Sequence, residues 1–147
     1  MKYKFGDLLL LFASVFALSS CAMFEHNTET KLMENVLFYN EWRLELVGST
    51  KVKYADENER ITLVITDEPQ NVSGHSACNR YFGKVSVKKD KISFKQLAST
   101  QMMCPQQKMD LEHKYFQALE KVNAYTIDEE GKLYLKHDDK ILLVFNL

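Results

Sequence analysis

The sequence has no excess of charge of either sign. Its 19 Lys and Arg stand against 20 Asp and Glu, a net charge of −1 over 147 residues, so the chain as a whole carries no basic footprint for nucleic acid. It has no long apolar run. The longest, Leu8 to Leu18, is 11 residues with Ser14 inside it. As a helix it measures about 17 Å, against a hydrocarbon core of about 30 Å, which excludes a spanning segment there. There is no internal repeat and no low-complexity tract, which argues against solenoids and linker-rich arrays. No C-x-x-C or H-E-x-x-H spacing is present, so no metal motif is offered. Cysteine is scarce and odd in number: Cys21, Cys78 and Cys104. What is there is length enough for one domain, and 46% apolar residues with 12% aromatics, too many for a disordered chain.

The N-terminus reads as an address. Lys2 and Lys4 precede the apolar run, and Leu18-Ser19-Ser20-Cys21 follows it. A short cationic stretch, an apolar segment and small residues before a cut describe a secretory signal peptide. With Cys in the first mature position, the pattern resembles the bacterial lipobox. That resemblance implies diacylglycerol on the Cys21 sulfur and an acylated amine, and two or three acyl chains anchor stably where one is marginal. Residue 22 is Ala rather than Asp, which favours the outer membrane, facing the periplasm, if the host is Gram-negative. The expected division is therefore residues 1–20 as lipoprotein signal peptide, 21–36 as a lipidated tether and 37–147 as the folded domain. A helical turn is expected at Leu32, Met33, Val36 and Leu37.

Behind the tether, period-2 alternation dominates. Trp42, Leu44 and Leu46 alternate with Arg43 and Glu45, as do Ile61, Leu63 and Ile65 with their threonines. Val85 and Val87, Ile92 and Phe94, Tyr125 and Ile127, Leu133 and Leu135, and Ile141, Leu143 and Phe145 follow the same rule. Turns are expected at 88–91, at Asp128–Gly131, where Gly131 can take positive φ, and at 137–140. Leu142 and Val144 suggest a last strand covered on both faces. Only Gln106–Val122 has helical period, through Leu111, Tyr115, Ala118, Leu119 and Val122, with Asp110 and Glu112 early and Lys114 and Lys121 late, as the macrodipole favours. The fold class is mainly β with one helix: seven or eight short strands in a compact antiparallel sandwich or small β-barrel.

Chemistry-bearing residues concentrate in two stretches, Val72–Gly83 and Leu97–Pro105. Gly74, then Cys78-Asn79-Arg80 with an aromatic residue and Gly83, then Thr100, Met102, Met103 and Cys104, then an acidic helix ending in Leu119, resemble the META domain family. The similarity runs from about Leu37 to Phe145. It implies a lipocalin-like barrel topology and no catalytic activity. It also implies an association with heat and envelope stress and with novobiocin tolerance, as in heat-inducible bacterial lipoproteins of that family. His75-Ser76-Ala77 vary in the family and are expected to carry no role.

Each of these residues also has a reading from chemistry alone. With Cys21 lipidated, two thiols remain in an oxidising compartment, which favours a Cys78–Cys104 disulfide over two free buried thiols or a redox-active cysteine. The closed loop of about 26 residues is worth roughly 3.5 kcal/mol in the chain-entropy model. Asn79 suits an Asx-type turn bonding neighbouring backbone. Gly74 and Gly83 suit bulges or positive φ near the rim. Arg80 suits a salt bridge, or contact with an anionic partner. Thr100 is expected to pack or cap under the helix, with Met102 and Met103 as core filler rather than a metal site. Gly74-His75-Ser76-Ala77-Cys78 approaches a nucleophile elbow but lacks the final glycine and the following helix. Cys78, Cys104, His75, His113 and His137 have no ligand spacing, and Asp128, Glu129 and Glu130 read as a solvated hairpin tip. No metal and no cofactor are therefore expected, and the protein is not read as an enzyme.

The resulting expectation is a monomeric, lipid-anchored envelope domain that binds a partner protein, with no nucleic-acid partner. The alternatives are a carrier of a small apolar ligand, if the barrel is hollow, and a thiol-dependent enzyme, if Cys78 or Cys104 is free.

Overall fold

A computed structural model describes residues 36–56 and 59–147; Cys21, the stretch expected to be a signal peptide and most of the expected tether, with Leu32 and Met33 of its expected helical turn, lie outside them. Among the described residues the elements are β1 (Glu41–Val47), β2 (Thr50–Lys51), β3 (Thr62–Thr66), β4 (Asn71–His75), β5 (Arg80–Lys88), β6 (Lys91–Ser99), α1 (Gln106–Leu119), β7 (Ala124–Ile127), β8 (Leu133–His137) and β9 (Lys140–Asn146), and Val36 and Leu37 are helical.

All pairings are antiparallel and the sheet closes on itself. From β3 to β9 each strand pairs with the next in sequence. β1 takes β3 along Glu41–Arg43 and β9 along Arg43–Val47, which completes the ring. β2 is a two-residue appendage on the end of β1. Closure removes the free edges that an open sheet of alternating strands would present. The barrel reading therefore holds over the sandwich. The ring is thinnest between β6 and β7, which share the single register pair Lys91↔Ala124. Beyond it the chain leaves the sheet to form α1 before returning as β7.

The alternating residues meet inside. Trp42, Leu44, Leu63, Ile65, Val72, Tyr81, Val85, Ile92, Phe94, Tyr125, Leu133, Leu135, Leu143 and Phe145 form one buried cluster, joined by Tyr115 and Leu119 of the helix. Burying such a side chain is worth about 1.5–3 kcal/mol each, so the cluster, not strand propensity, selects the register. Leu37 is fully buried in it, and its carbonyl accepts the indole N–H of Trp42 at 3.0 Å. Trp42, Tyr81, Tyr115, Tyr125 and Phe145 fill the interior, which leaves the hollow-barrel alternative without support.

Several expectations change. β4 shows no apolar alternation because its second inward position is Gly74, so Val72 is its only buried residue. In β9, Leu143 and Phe145 point inward and Val144 is also buried, but Ile141 is exposed. A register irregularity between Leu135 and Lys136 on β8 lies beside it. The helix ends at Leu119 rather than Val122, and Val122 joins the core from the following turn. Its first turn carries no acid and its last no base, so Asp110, Glu112 and Lys121 do not serve the macrodipole as expected. Gly131 does take positive φ, +79°, in the β7–β8 turn.

Candidate functional site

The two motif stretches converge where β4 turns into β5. Ser76, Ala77, Cys78 and Asn79 form that turn, closed by the Ser76 N–H donating to the Asn79 carbonyl at 2.8 Å. All four residues are buried. Ala77 sits at φ +81°, a left-handed conformation that costs a non-glycine residue roughly 1 kcal/mol and needs outside support.

Two constraints supply it. One is covalent: Cys78 and Cys104 are joined as a disulfide, with Cα atoms 5.9 Å apart and a sequence separation of 26. The other is a hydrogen-bond cluster centred on Asn79 and Glu112. The Glu112 carboxylate, on α1, accepts the Asn79 backbone N–H at 2.9 Å and its side-chain N–H at 2.8 Å. It also accepts the Ser76 hydroxyl at 2.5 Å. The Asn79 carbonyl oxygen, Oδ1, accepts from the Thr100 hydroxyl and from the Met102 backbone N–H, both at 2.8 Å. Thr100 Oγ1 in turn accepts the Arg80 N–H at 3.2 Å. One asparagine thus ties the β4–β5 turn to the β6–α1 connection and, through Glu112, to the helix. The bonds on the carboxylate are charge-assisted and correspondingly strong.

A second polar contact lies deeper. The Tyr81 hydroxyl donates to the Thr62 carbonyl at 2.9 Å and so accepts from the Tyr115 hydroxyl at 2.7 Å. Both rings are buried edge to face, 5.7 Å apart. Burial pushes both phenols well above the usual tyrosine range, and for Tyr115 the neighbouring Tyr81 adds to it; they remain neutral donors. Gly74 makes room for this pair. A Cβ there would lie 2.0 Å from the Thr62 carbonyl oxygen and 2.9 Å from the Tyr81 ring.

The motif residues therefore separate into groups. Cys78, Asn79, Thr100, the Met102 backbone and Cys104 come together. Asn79 does not make a local Asx turn: its side chain bonds residues 21, 23 and 33 positions away. Ser76, expected to carry no role, is fully buried within the cluster. Gly74 has no positive φ and marks a close approach instead. Gly83 also lacks positive φ but lies at the β5–β6 bulge, between Phe82 and Lys84. Arg80 points outward, exposed, with no ion pair among the described residues. The methionines are the clearest correction. Met102 is 57% exposed and Met103 95%, because the polar contacts of Thr100 and the Met102 backbone turn this segment's side chains away from the core.

Glu112 is the residue that sequence reasoning missed. Its signal was a carboxylate on the inward-facing side of a helix, one turn before Tyr115 and Phe116, where a solvated acid has no reason to be.

In chemical terms the cluster is saturated. The two thiols are consumed in the disulfide, and Ser76, Asn79, Thr100 and Glu112 satisfy one another. His75, His113 and His137 contact the Arg60 carbonyl, the Gln117 side chain and the Lys121 carbonyl respectively. Among the described residues no group of three or more His, Cys, Asp or Glu is placed to hold a metal ion. An open groove of about 480 Å³ runs between residues 99–103 and the Met109–Phe116 side of α1. Among the described residues no helix is long and apolar enough to cross a membrane.

The family model of the META domain matches residues 35–147. Among solved structures the chain is similar to a protein from Burkholderia xenovorans determined by NMR. The identity is 27% and the TM-score 0.63, over 81% of this chain and 86% of that one. It is also similar to a second protein determined by NMR, at 25% identity and a TM-score of 0.60, over 77% and 92% of the two chains. No curated protein matches.

Proposed function

The chain belongs to the META domain family, and from that premise we propose that it is a lipid-anchored cell-envelope protein that acts by binding a protein partner rather than by catalysis. Cys21 takes the lipid, and residues 22–36 tether the domain to it. The heat and envelope stress association, and the tolerance to novobiocin, belong to the same proposal and come from the family resemblance.

One observation carries the binding reading. Every group in the motif cluster that could act as a nucleophile, acid or base is engaged with another residue of the cluster, so that Asn79, Thr100 and Glu112, which line the open groove of about 480 Å³, meet it already bonded to one another. The thiols that a thiol-dependent enzyme would use are joined in the disulfide, and the hydroxyl on the Glu112 carboxylate, that of Ser76, is fully buried. Here the same bonding rigidifies a junction of three elements, as a binding scaffold requires.

Proximity labelling with the anchored protein in intact cells tests this. One or a few envelope proteins are expected to be enriched reproducibly, and their enrichment to fall when Cys21→Ser removes the acyl anchor. Recovery of bulk envelope proteins in proportion to abundance would overturn the specific-partner reading. Absence of acyl incorporation at Cys21 would overturn the anchor.

A further inference from the structure

The charge of this chain is unevenly placed. Residues 80–99, the β5–β6 hairpin, hold Arg80, Lys84, Lys88, Lys89, Lys91 and Lys95 against the single acid Asp90. That is a net charge of +5 within a chain of −1, so the other residues together carry −6. The strand alternation sends most of this charge one way. On β5, Tyr81 and Val85 point inward while Arg80, Phe82, Lys84, Ser86 and Lys88 point outward. On β6, Lys91 and Lys95 point outward opposite them.

The register then sets like charges directly across from each other. Lys84 faces Lys95, and Lys88 faces Lys91. Directly opposed like charges destabilise a sheet, and only two of these four lysines have a local partner: Lys84 donates to the Asn71 side chain at 2.8 Å, and Lys91 lies 3.5 Å from Asp90. The fold gains nothing from these pairs. Among the cations stands an aromatic ring: Phe82 is 64% exposed, between Arg80 and Lys84. It forms a ridge between two open grooves, one of about 600 Å³ containing Arg80 and one of about 470 Å³ containing Lys84.

We propose that the outer face of the β5–β6 hairpin lies against an anionic phospholipid bilayer, with Phe82 at the headgroup–acyl boundary and Arg80, Lys84, Lys88 and Lys95 on lipid phosphates. Basic residues near an anionic surface each add binding energy, and an aromatic ring adds apolar burial at the interface. Anionic headgroups also relieve the opposed lysine pairs, which a neutral surface would not. A soluble polyanion could match the charge but would leave the exposed Phe82 unexplained. This deepens the proposed function and rests on it for the membrane alone: the anchor at Cys21 brings the domain to a bilayer, and this face orients it there.

The test uses the chain from Cys21 onward, which retains every described residue, with Cys21→Ser so that no acyl chain contributes. Its co-sedimentation is measured with vesicles of phosphatidylcholine alone and of phosphatidylcholine with phosphatidylglycerol. Binding is expected to the phosphatidylglycerol vesicles and to weaken as salt rises. At about fivefold per lysine, the double substitution Lys84→Gln with Lys95→Gln should weaken it about thirtyfold. Phe82→Ala should weaken binding while leaving the salt slope unchanged. Thermal unfolding checks the fold of each variant, and Lys84→Gln alone should be at least as stable as the parent because it removes an opposed pair. Equal binding to both vesicle types, or undiminished binding of the double variant, would overturn the proposal. So would tighter retention on heparin than on vesicles with no effect of Phe82→Ala, which would assign the face to a polyanion. Because the tested chain is unacylated, these results are independent of whether Cys21 is lipidated in cells.

Discussion

Glu112→Gln is the most informative single perturbation of the motif cluster. The substitution keeps the size and shape of the side chain, and so removes little packing. What changes is the pattern of donors and acceptors. All three contacts to the Glu112 carboxylate come from donors: the Asn79 N–H, the Asn79 side-chain N–H and the Ser76 hydroxyl. Glutamine offers one oxygen and one NH2 group. If its NH2 replaces Oε1 it meets the Asn79 NH2, and if it replaces Oε2 it meets the Asn79 backbone N–H. In either orientation a donor faces a donor at about 2.8–2.9 Å. A hydrogen bond to a charged group is worth about 1.5–3 kcal/mol, and stranding a buried donor costs about 1–3 kcal/mol. With one or two bonds retained as neutral ones, the net loss is about 2–3 kcal/mol. For a domain of this size that corresponds to a fall in Tm on the order of 10 °C. The assay is thermal unfolding of the oxidised protein followed by circular dichroism. Asn79→Ala should lose a similar amount, and the double variant should lose less than the sum, since the two residues share bonds. A Tm within about 2 °C of the parent for Glu112→Gln would refute the reasoning. It would mean that α1 is held by Tyr115 and Leu119 alone. So would strict additivity with Asn79→Ala.

Other outcomes follow from the same structure. Replacing both Cys78 and Cys104 by serine opens a closed loop of 26 residues and should cost about 3.5 kcal/mol in urea unfolding; no loss would mean the hydrogen-bond cluster alone fixes the junction. Gly74→Ala drives a methyl into the Thr62 carbonyl and the Tyr81 ring and should cost about 1–3 kcal/mol, seen as a lower Tm, whereas an unchanged Tm would exclude close approach as the reason for glycine. Stability should also fall at alkaline pH. Burial raises Tyr54 from 10.0 to about 12 and also raises Tyr81 and Tyr115 well above the usual tyrosine range. A raised folded-state value favours the protonated form, so this contribution is fully present below the unfolded value near 10 and is lost as pH climbs above it. Urea midpoints flat through that range would contradict it.

Most of the strands were legible because a half-buried strand writes its burial into the sequence as period two. Trp42, Leu44, Leu63, Ile65, Val85, Ile92, Phe94, Leu133, Leu135, Leu143 and Phe145 all occupy the inward positions that alternation assigns. β4 was not legible, since an inward glycine leaves no mark. Nor was the outward turn of Ile141, which the alternation of Ile141, Leu143 and Phe145 assigned inward. At the motif cluster the two cysteines could be paired by counting, because only two remained once Cys21 was assigned to lipid. The partners of Asn79 could not be found that way, since they lie 21 to 33 positions distant. Met102 and Met103 were misplaced because apolar character argues for burial, and nothing local shows that Thr100 and the Met102 N–H are committed to Asn79.

The sequence by itself determined the secondary-structure alternation, the helix after Pro105 and most of the core, because these depend on side-chain polarity repeated at short range. It also displayed the family motif. Only the tertiary structure decided that the sheet closes through β1 and β9, that Glu112 is a brace rather than a helix-end charge, and that lysines face lysines across β5 and β6. Those outcomes depend on register and on contacts between distant segments. In a sheet one residue of register decides which side chains meet, and no local pattern encodes it.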